Sequence, residues 1–78
     1  MVDITNLKKK IYGSGMTFIY IAQKAGITRE TLYNRLLGKG EFTASEIVAL
    51  TEVLGLTSEE REKIFFAKKV ELKATTRR

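Results

Sequence analysis

The sequence contains no cysteine, histidine, proline or tryptophan. Without cysteine the fold has no disulfide and no thiolate zinc site, and without histidine it has no imidazole metal ligand. The same two absences remove Cys/His nucleophile pairs and Ser/His/Asp triads, which carry much of hydrolytic chemistry. We therefore expect a protein that is not an enzyme, that holds no metal or cofactor and that takes no small-molecule ligand.

Long apolar runs are also absent. No run approaches the roughly 18 apolar residues of a membrane span, and no apolar signal core follows the three lysines at positions 8–10. We expect a cytoplasmic protein with no membrane partner. The 78 residues provide for one small domain, and 44% apolar with 29% charged residues are typical of a chain that folds.

The formal net charge of +5 is concentrated in the first half of the chain. Residues 1–40 hold seven basic and two acidic side chains, whereas residues 41–78 hold seven of each. A one-sided basic charge is typical of a domain that meets phosphate, although it also keeps a small protein soluble. The first half is therefore where we expect contacts with a polyanion.

Apolar spacing and capping residues predict five helices and no strand. Two of the helix starts, residues 43–46 and 57–60, are capping boxes, in which a hydroxyl and a carboxylate three residues later bond each other's backbone amides. The predicted helices cover residues 3–12, 17–25, 28–37, 43–54 and 58–70, and the first four of these ranges include the capping residue. The expected fold is a compact all-α bundle over residues 1–72, followed by a disordered basic tail over residues 73–78.

Residues 17–37 have the pattern of a helix-turn-helix. Ala22 is small enough for two helices to cross closely, and Gly26 permits the left-handed backbone of a tight turn. Ile27 and Leu32 can fill the wedge between the helices. This spacing is weak evidence alone, but two short flanking helices and the basic charge around it favour a DNA-binding motif.

The run TFIYIAQKAGITRETLYN at residues 17–34, together with LGLT at residues 54–57, resembles the phage repressor and Cro-like (Xre) helix-turn-helix family. The resemblance extends over residues 3–68 and implies a lambda-repressor-like bundle of five short helices. It also implies a phage or prokaryotic regulator, such as a repressor, that binds specific double-stranded DNA sequences with its third helix in the major groove.

Helical geometry predicts the DNA-facing residues independently of the family. If Leu32 and Leu36 point into the core, the opposite face of the third helix is centred on Asn34. The residues expected to contact base edges are Arg29, Glu30, Thr31 and Asn34. Those expected to contact phosphate are Thr17, Lys24, Tyr33, Arg35, Lys39 and Gly40. The alternative for each is an ordinary solvated helix face, and for Tyr33 also packing against the fourth helix.

The predicted fifth helix is apolar on more than one side. Ile64 and Ala67 can face the core, which leaves Phe65, Phe66 and Val70 distributed around the axis. One interpretation is a homodimer interface formed by these three residues; the other is that one phenylalanine closes the core and the other is partly exposed. We expect a homodimeric transcriptional regulator, with a small helical protein-interaction module, such as an antitoxin or an anti-repressor, as the alternative.

Overall fold

Each helix begins directly after a side chain that caps its first turn. In this computed structural model, which describes residues 2–67, the Asp3 carboxylate accepts the Asn6 amide, and the threonines at positions 17, 28, 43 and 57 each accept the amide three residues later. The helices are α1 (Ile4–Gly13), α2 (Phe18–Ala25), α3 (Arg29–Leu36), α4 (Ala44–Leu54) and α5 (Ser58–Phe65). The all-α prediction is confirmed, and the described residues contain no strand.

The chain leaves α2 and α3 through the same backbone motif. Gly26 and Gly38 have positive φ values of 77° and 84°. The amide after each glycine bonds to a carbonyl five residues earlier, as Lys39 does to Asn34 at 2.8 Å. This is the Schellman motif, and glycine suits its left-handed position. It fixes the turn between α2 and α3 and sets the position of the Lys39 backbone after α3.

One apolar cluster holds the five helices together. α2 packs against α3 and α4, and α1 packs against α5. A hydrogen bond of 2.6 Å from the Asp3 amide to the Ile64 carbonyl also joins the start of α1 to α5. At about 1.5–3 kcal/mol for each fully buried leucine or isoleucine, burial is the main stabilising contribution. The cluster comprises Leu7, Ile11, Ile21, Ala22, Leu32, Leu36, Ile47, Leu50, Leu56, Ile64 and Phe65.

The structure of the end of α5 differs from the sequence prediction in the length of the helix and in the role of Phe65. The helix ends at Phe65, five residues before the predicted end, because Phe66 leaves helical geometry with φ −125° and ψ 32°. Phe65 is buried, and its ring meets that of Phe42 edge-on with 5.4 Å between the centroids. Phe65 therefore belongs to the core and offers no surface to a second chain, whereas Phe66 is exposed. Val70 and the tail at residues 73–78 lie outside the described residues.

Candidate functional site

The turn between α2 and α3 consists of residues 26–28 and presents α3 on the surface. Ile27 packs against the core, and Leu32 and Leu36 of α3 are buried in it. Thr28 then caps α3, accepting the Thr31 amide at 3.0 Å. The core thus anchors one side of α3 and leaves its other side available for contacts.

The exposed face of α3 is centred near Tyr33 rather than Asn34. Tyr33 and Leu37 are each 56% exposed, and Arg29 and Glu30 at the first turn are exposed as well. Asn34 keeps some exposure to solvent, but it lies to one side of this face. Adjacent residues differ by about 100° around a helix, so the prediction that Asn34 is the centre of the outward face is wrong by about one residue.

An ion pair between α3 and α4 explains why the exposed face of α3 is rotated away from Asn34. The Nε and Nη2 atoms of Arg35 donate to the two carboxylate oxygens of Glu46 on α4, at 3.2 and 3.3 Å. The two side chains are 21% and 12% exposed. The backbone of Gly40 lies over the guanidinium, since a Cβ on Gly40 would be 2.5 Å from Arg35 Nη1. The α3–α4 loop and the start of α4 therefore cover the side of α3 that carries Arg35, and Thr31 and Asn34 are partly buried beside it.

Glu46 joins this ion pair to the capping box of α4. Its carboxylate also accepts the Thr43 amide at 3.0 Å. Burial raises the pKa of Glu46, but the hydrogen bonds from Arg35 and Thr43 and the charge of Arg35 outweigh burial and hold the pKa below its ordinary value. The carboxylate is thus ionised at neutral pH. The phosphate contact predicted for Arg35 stays a prediction, and a phosphate would have to compete with Glu46 for it.

Three aromatic rings extend the exposed face toward α1. The rings of Tyr12 and Phe18 are stacked, with 6.4 Å between centroids and 9° between planes. Phe18 meets Tyr33 edge-on at 5.9 Å. Phe18, Arg29, Glu30 and Tyr33 together line a shallow depression between the start of α2 and α3. We call Tyr12, Phe18 and Tyr33 the aromatic strip. Neither Phe18 nor Tyr12 was among the residues expected from the sequence to contact DNA, and the signal for Phe18 is a large apolar residue at the first position of α2.

The other candidate phosphate contacts flank this face. Thr17 Oγ1 accepts the Tyr20 amide at 3.1 Å. The amides of Phe18 and Ile19 precede the first intrahelical hydrogen bond of α2 and have no partner within the helix. The Lys24 ammonium lies 5.6 Å from the centre of the Tyr20 ring, as in a cation–π contact. Lys39 and Gly40 are exposed in the loop after α3. The phosphate contacts expected of Thr17, Lys24, Lys39 and Gly40 stay predictions.

Ion pairing reduces the charge available to a polyanion. Lys10 pairs with Glu60, and Arg35 pairs with Glu46, so two bases of the first half are engaged by acids of the second. The hydrogen bond from Lys10, followed by that from the Thr57 amide, holds the pKa of Glu60 below its ordinary value. Within residues 2–67, the first-half bases that form no ion pair are Lys8, Lys9, Lys24, Arg29 and Lys39.

Residues 2–67 contain no group of three or more aspartate, glutamate, cysteine or histidine side chains that could hold a metal ion. No helix among them is long and apolar enough to cross a bilayer.

No protein-family model matches this sequence, and no curated protein or solved structure matches it either. The resemblance to the Xre family therefore stays a prediction from residues 17–34 and 54–57.

Proposed function

We propose that this protein is a transcriptional regulator that binds specific sequences of double-stranded DNA with α3 in the major groove. The proposal rests on the way α3 is held against the core with one side exposed. Leu32 and Leu36 anchor one side in the core, a turn of three residues joins the helix to α2, and the opposite side is exposed. The major groove is wide enough to admit a helix presented in this way.

The flanking groups supply the phosphate contacts in this proposal. The first turn of α2 presents backbone amides and the positive end of a helix dipole, which favour a phosphate. Lys39 follows α3 with its backbone held by the Schellman motif, so its ammonium can reach a second phosphate. Arg29 begins α3 and can donate two hydrogen bonds to a guanine.

Salt dependence and sequence selection test this function together. Full-length protein is incubated with a random double-stranded pool, and binding of the enriched site is then measured by fluorescence anisotropy at several salt concentrations. If four to eight phosphates are neutralised per dimer, the slope of log affinity against log salt is about −4 to −7. A slope near zero, or no enriched sequence, would refute the proposal.

Two lysines provide a matched pair of variants for this assay. Lys39→Ala should lower the steepness of the salt slope by about one for each protomer, or about two for the dimer, because each protomer loses one phosphate contact. Lys63→Ala removes the same charge from an exposed position on α5 and should leave the slope unchanged. Equal effects of the two substitutions would indicate that net charge, and not a contact beside α3, drives binding.

A second function is favoured by the composition of the exposed α3 face. Arg29 and Glu30 carry opposite charges there, and Tyr33 and Leu37 are largely apolar. Such a face also suits a groove on a partner protein, as in an antitoxin or an anti-repressor. A protein partner would bind with little dependence on salt, and the protein would then enrich no sequence from a random DNA pool, which separates this candidate from the DNA-binding one.

We also propose that the regulator acts as a homodimer on a two-fold symmetric site. Phe66 is exposed at the end of α5 and lines a groove in which Val2 and Phe42 lie beside the charged residues Arg35 and Glu41. An exposed aromatic ring beside such a groove is typical of a self-complementary interface. The interface proposed from the sequence is thus reduced to Phe66 among the described residues.

A further inference from the structure

The exposed face of α3 is unusually apolar for a surface that is to meet DNA. Tyr33 and Leu37 are its most prominent side chains, and Phe18 from α2 adjoins Tyr33. Only Arg29 and Glu30 on this face carry charge, and their charges cancel. An apolar face of this kind needs an apolar partner, because polar groups that it covers lose hydrogen bonds to water.

The major groove offers one apolar group at its base edges. Guanine, adenine and cytosine present hydrogen-bond donors and acceptors there, whereas thymine also presents its 5-methyl group. If α3 lies in the groove, Tyr33 and Leu37 would cover polar atoms at every base pair, and only the 5-methyl group of thymine would give them an apolar contact in return. An apolar α3 face would therefore favour thymine over the other bases without forming a hydrogen bond.

We infer that Tyr33 and Leu37 are specificity-determining residues that select thymine by contact with its 5-methyl group. This inference rests on the proposed DNA-binding function and adds the chemistry by which the same face selects a base. Phe18 is a positioning residue, because its edge-on contact restricts the Tyr33 ring from the α2 side. Tyr12, stacked on the other side of Phe18, supports that ring in turn.

The spacing of Arg29 and Tyr33 adds a constraint on the DNA sequence. Residues four apart on a helix lie on the same side with a rise of roughly 6 Å between them. Base pairs are stacked about 3.4 Å apart, so this rise corresponds to one or two base steps. A guanine bound by Arg29 and a thymine touched by Tyr33 should therefore lie within about two base pairs of each other.

Replacement of thymine by deoxyuridine tests this inference at the level of one methyl group. Each thymine of the selected site is replaced singly, and the dissociation constant is measured by anisotropy. Binding of the wild-type protein should weaken about threefold to fivefold at one or two thymines near a guanine, as expected for losing one buried methyl group. The inference is overturned if the selected site lacks thymine or if no replacement weakens binding by about twofold.

Three variants then assign the methyl contact to Tyr33. At the thymine that Tyr33 contacts, Tyr33→Ser should bind thymine and deoxyuridine equally, whereas Tyr33→Phe should keep the wild-type preference. Tyr20→Ser is the matched control, since Tyr20 is an exposed tyrosine on α2 outside the aromatic strip, and it should keep the preference too. If Tyr33→Ser retains the full preference, Tyr33 does not read the methyl group. Lower salt restores measurable affinity where a variant binds weakly.

Failure of the inference differs from failure of the proposed function. If DNA is not the ligand, the random pool yields no enriched sequence and binding shows no salt slope. If DNA is the ligand but α3 selects bases through hydrogen bonds alone, a site is enriched and its affinity is indifferent to deoxyuridine.

Discussion

Replacing Arg35 and Glu46, singly and together, should reveal a coupling free energy of about 1–2 kcal/mol in the stability of the fold. Arg35→Met keeps the apolar stem of the side chain, and Glu46→Gln keeps an oxygen that can accept the Thr43 amide. The double variant removes both charges. The free energy of unfolding is measured by urea titration, followed by circular dichroism at pH 7.

The expected magnitude follows from the geometry of this pair. At the longer separation of 3.3 Å, the attraction is about 5 kcal/mol for an effective dielectric constant of about 20. Desolvation of the two ions offsets most of that attraction. Exposed pairs retain about 0.2–1 kcal/mol, and side chains that are 21% and 12% exposed should retain somewhat more.

A second ion pair in the same protein is a matched control. Lys10 and Glu60 also join two helices, and Glu60 occupies the same capping-box position at the start of α5 as Glu46 does in α4. These side chains are 42% and 35% exposed, so water screens them more. Their coupling should be smaller than that of Arg35 with Glu46. A coupling of Arg35 with Glu46 under about 0.3 kcal/mol would refute the reasoning, because it is within the error of additivity.

The pH dependence of the same variants gives an independent check. The pKa of Glu46 is lowered in the folded state, so its contribution is fully present above its unfolded pKa of about 4.3 and is lost as the pH falls through the folded value. The stability difference between wild type and Glu46→Gln should be constant between about pH 7 and pH 5 and should shrink below about pH 4. A difference that persists at about pH 2 would contradict the assignment.

Three further perturbations test other parts of the structure. Gly38→Ala and Gly40→Ala both place an alanine at a positive φ, which costs about 1–2 kcal/mol, but only a Cβ on Gly40 would meet the Arg35 guanidinium. Gly40→Ala should therefore lower the urea midpoint of unfolding further than Gly38→Ala does. Equal midpoints would count against the contact between Gly40 and Arg35. Arg29→Ala should cost about 1–3 kcal/mol of binding free energy on the selected DNA site and remove the preference at one base pair, whereas Lys39→Ala should weaken binding to all sequences alike. If both variants lose affinity uniformly for all sequences, α3 does not lie in the groove. Phe66→Asp should give a folded monomer by light scattering, and a retained dimer mass would place the interface elsewhere.

The helix starts could be predicted from the sequence because their causes are local. The threonines before α2 and α3 and the two capping boxes act within four residues of chain, and each one caps a helix in the structure. Gly26 likewise ends α2 where its left-handed backbone is needed. Such signals involve neighbouring residues only, so a single sequence contains all that they require.

The orientation of α3 could not be predicted in this way, because it depends on residues of other elements. Leu32 and Leu36 give one core direction, but the contact of Arg35 with Glu46 adds a second covered side. Glu46 already has a local explanation as a capping residue, so nothing in the sequence indicates its second partner. The choice between Phe65 and Phe66 has the same origin, since adjacent rings at the end of α5 differ in what lies opposite them, and Phe65 is the one that meets Phe42.

This rotation of α3 changes how affinity and specificity are divided in the proposed function. With Asn34 at the centre, base selection would depend on a hydrogen-bonding amide. With Tyr33 and Leu37 at the centre, selection of thymine depends on apolar contact and selection of guanine on the hydrogen bonds of Arg29, while Lys39 and the start of α2 provide the attraction to phosphate. The two contributions then respond to different perturbations, because salt screens charges and leaves a methyl contact nearly unchanged. Base preference measured by deoxyuridine substitution should therefore be the same at low and high salt, even as total affinity falls steeply.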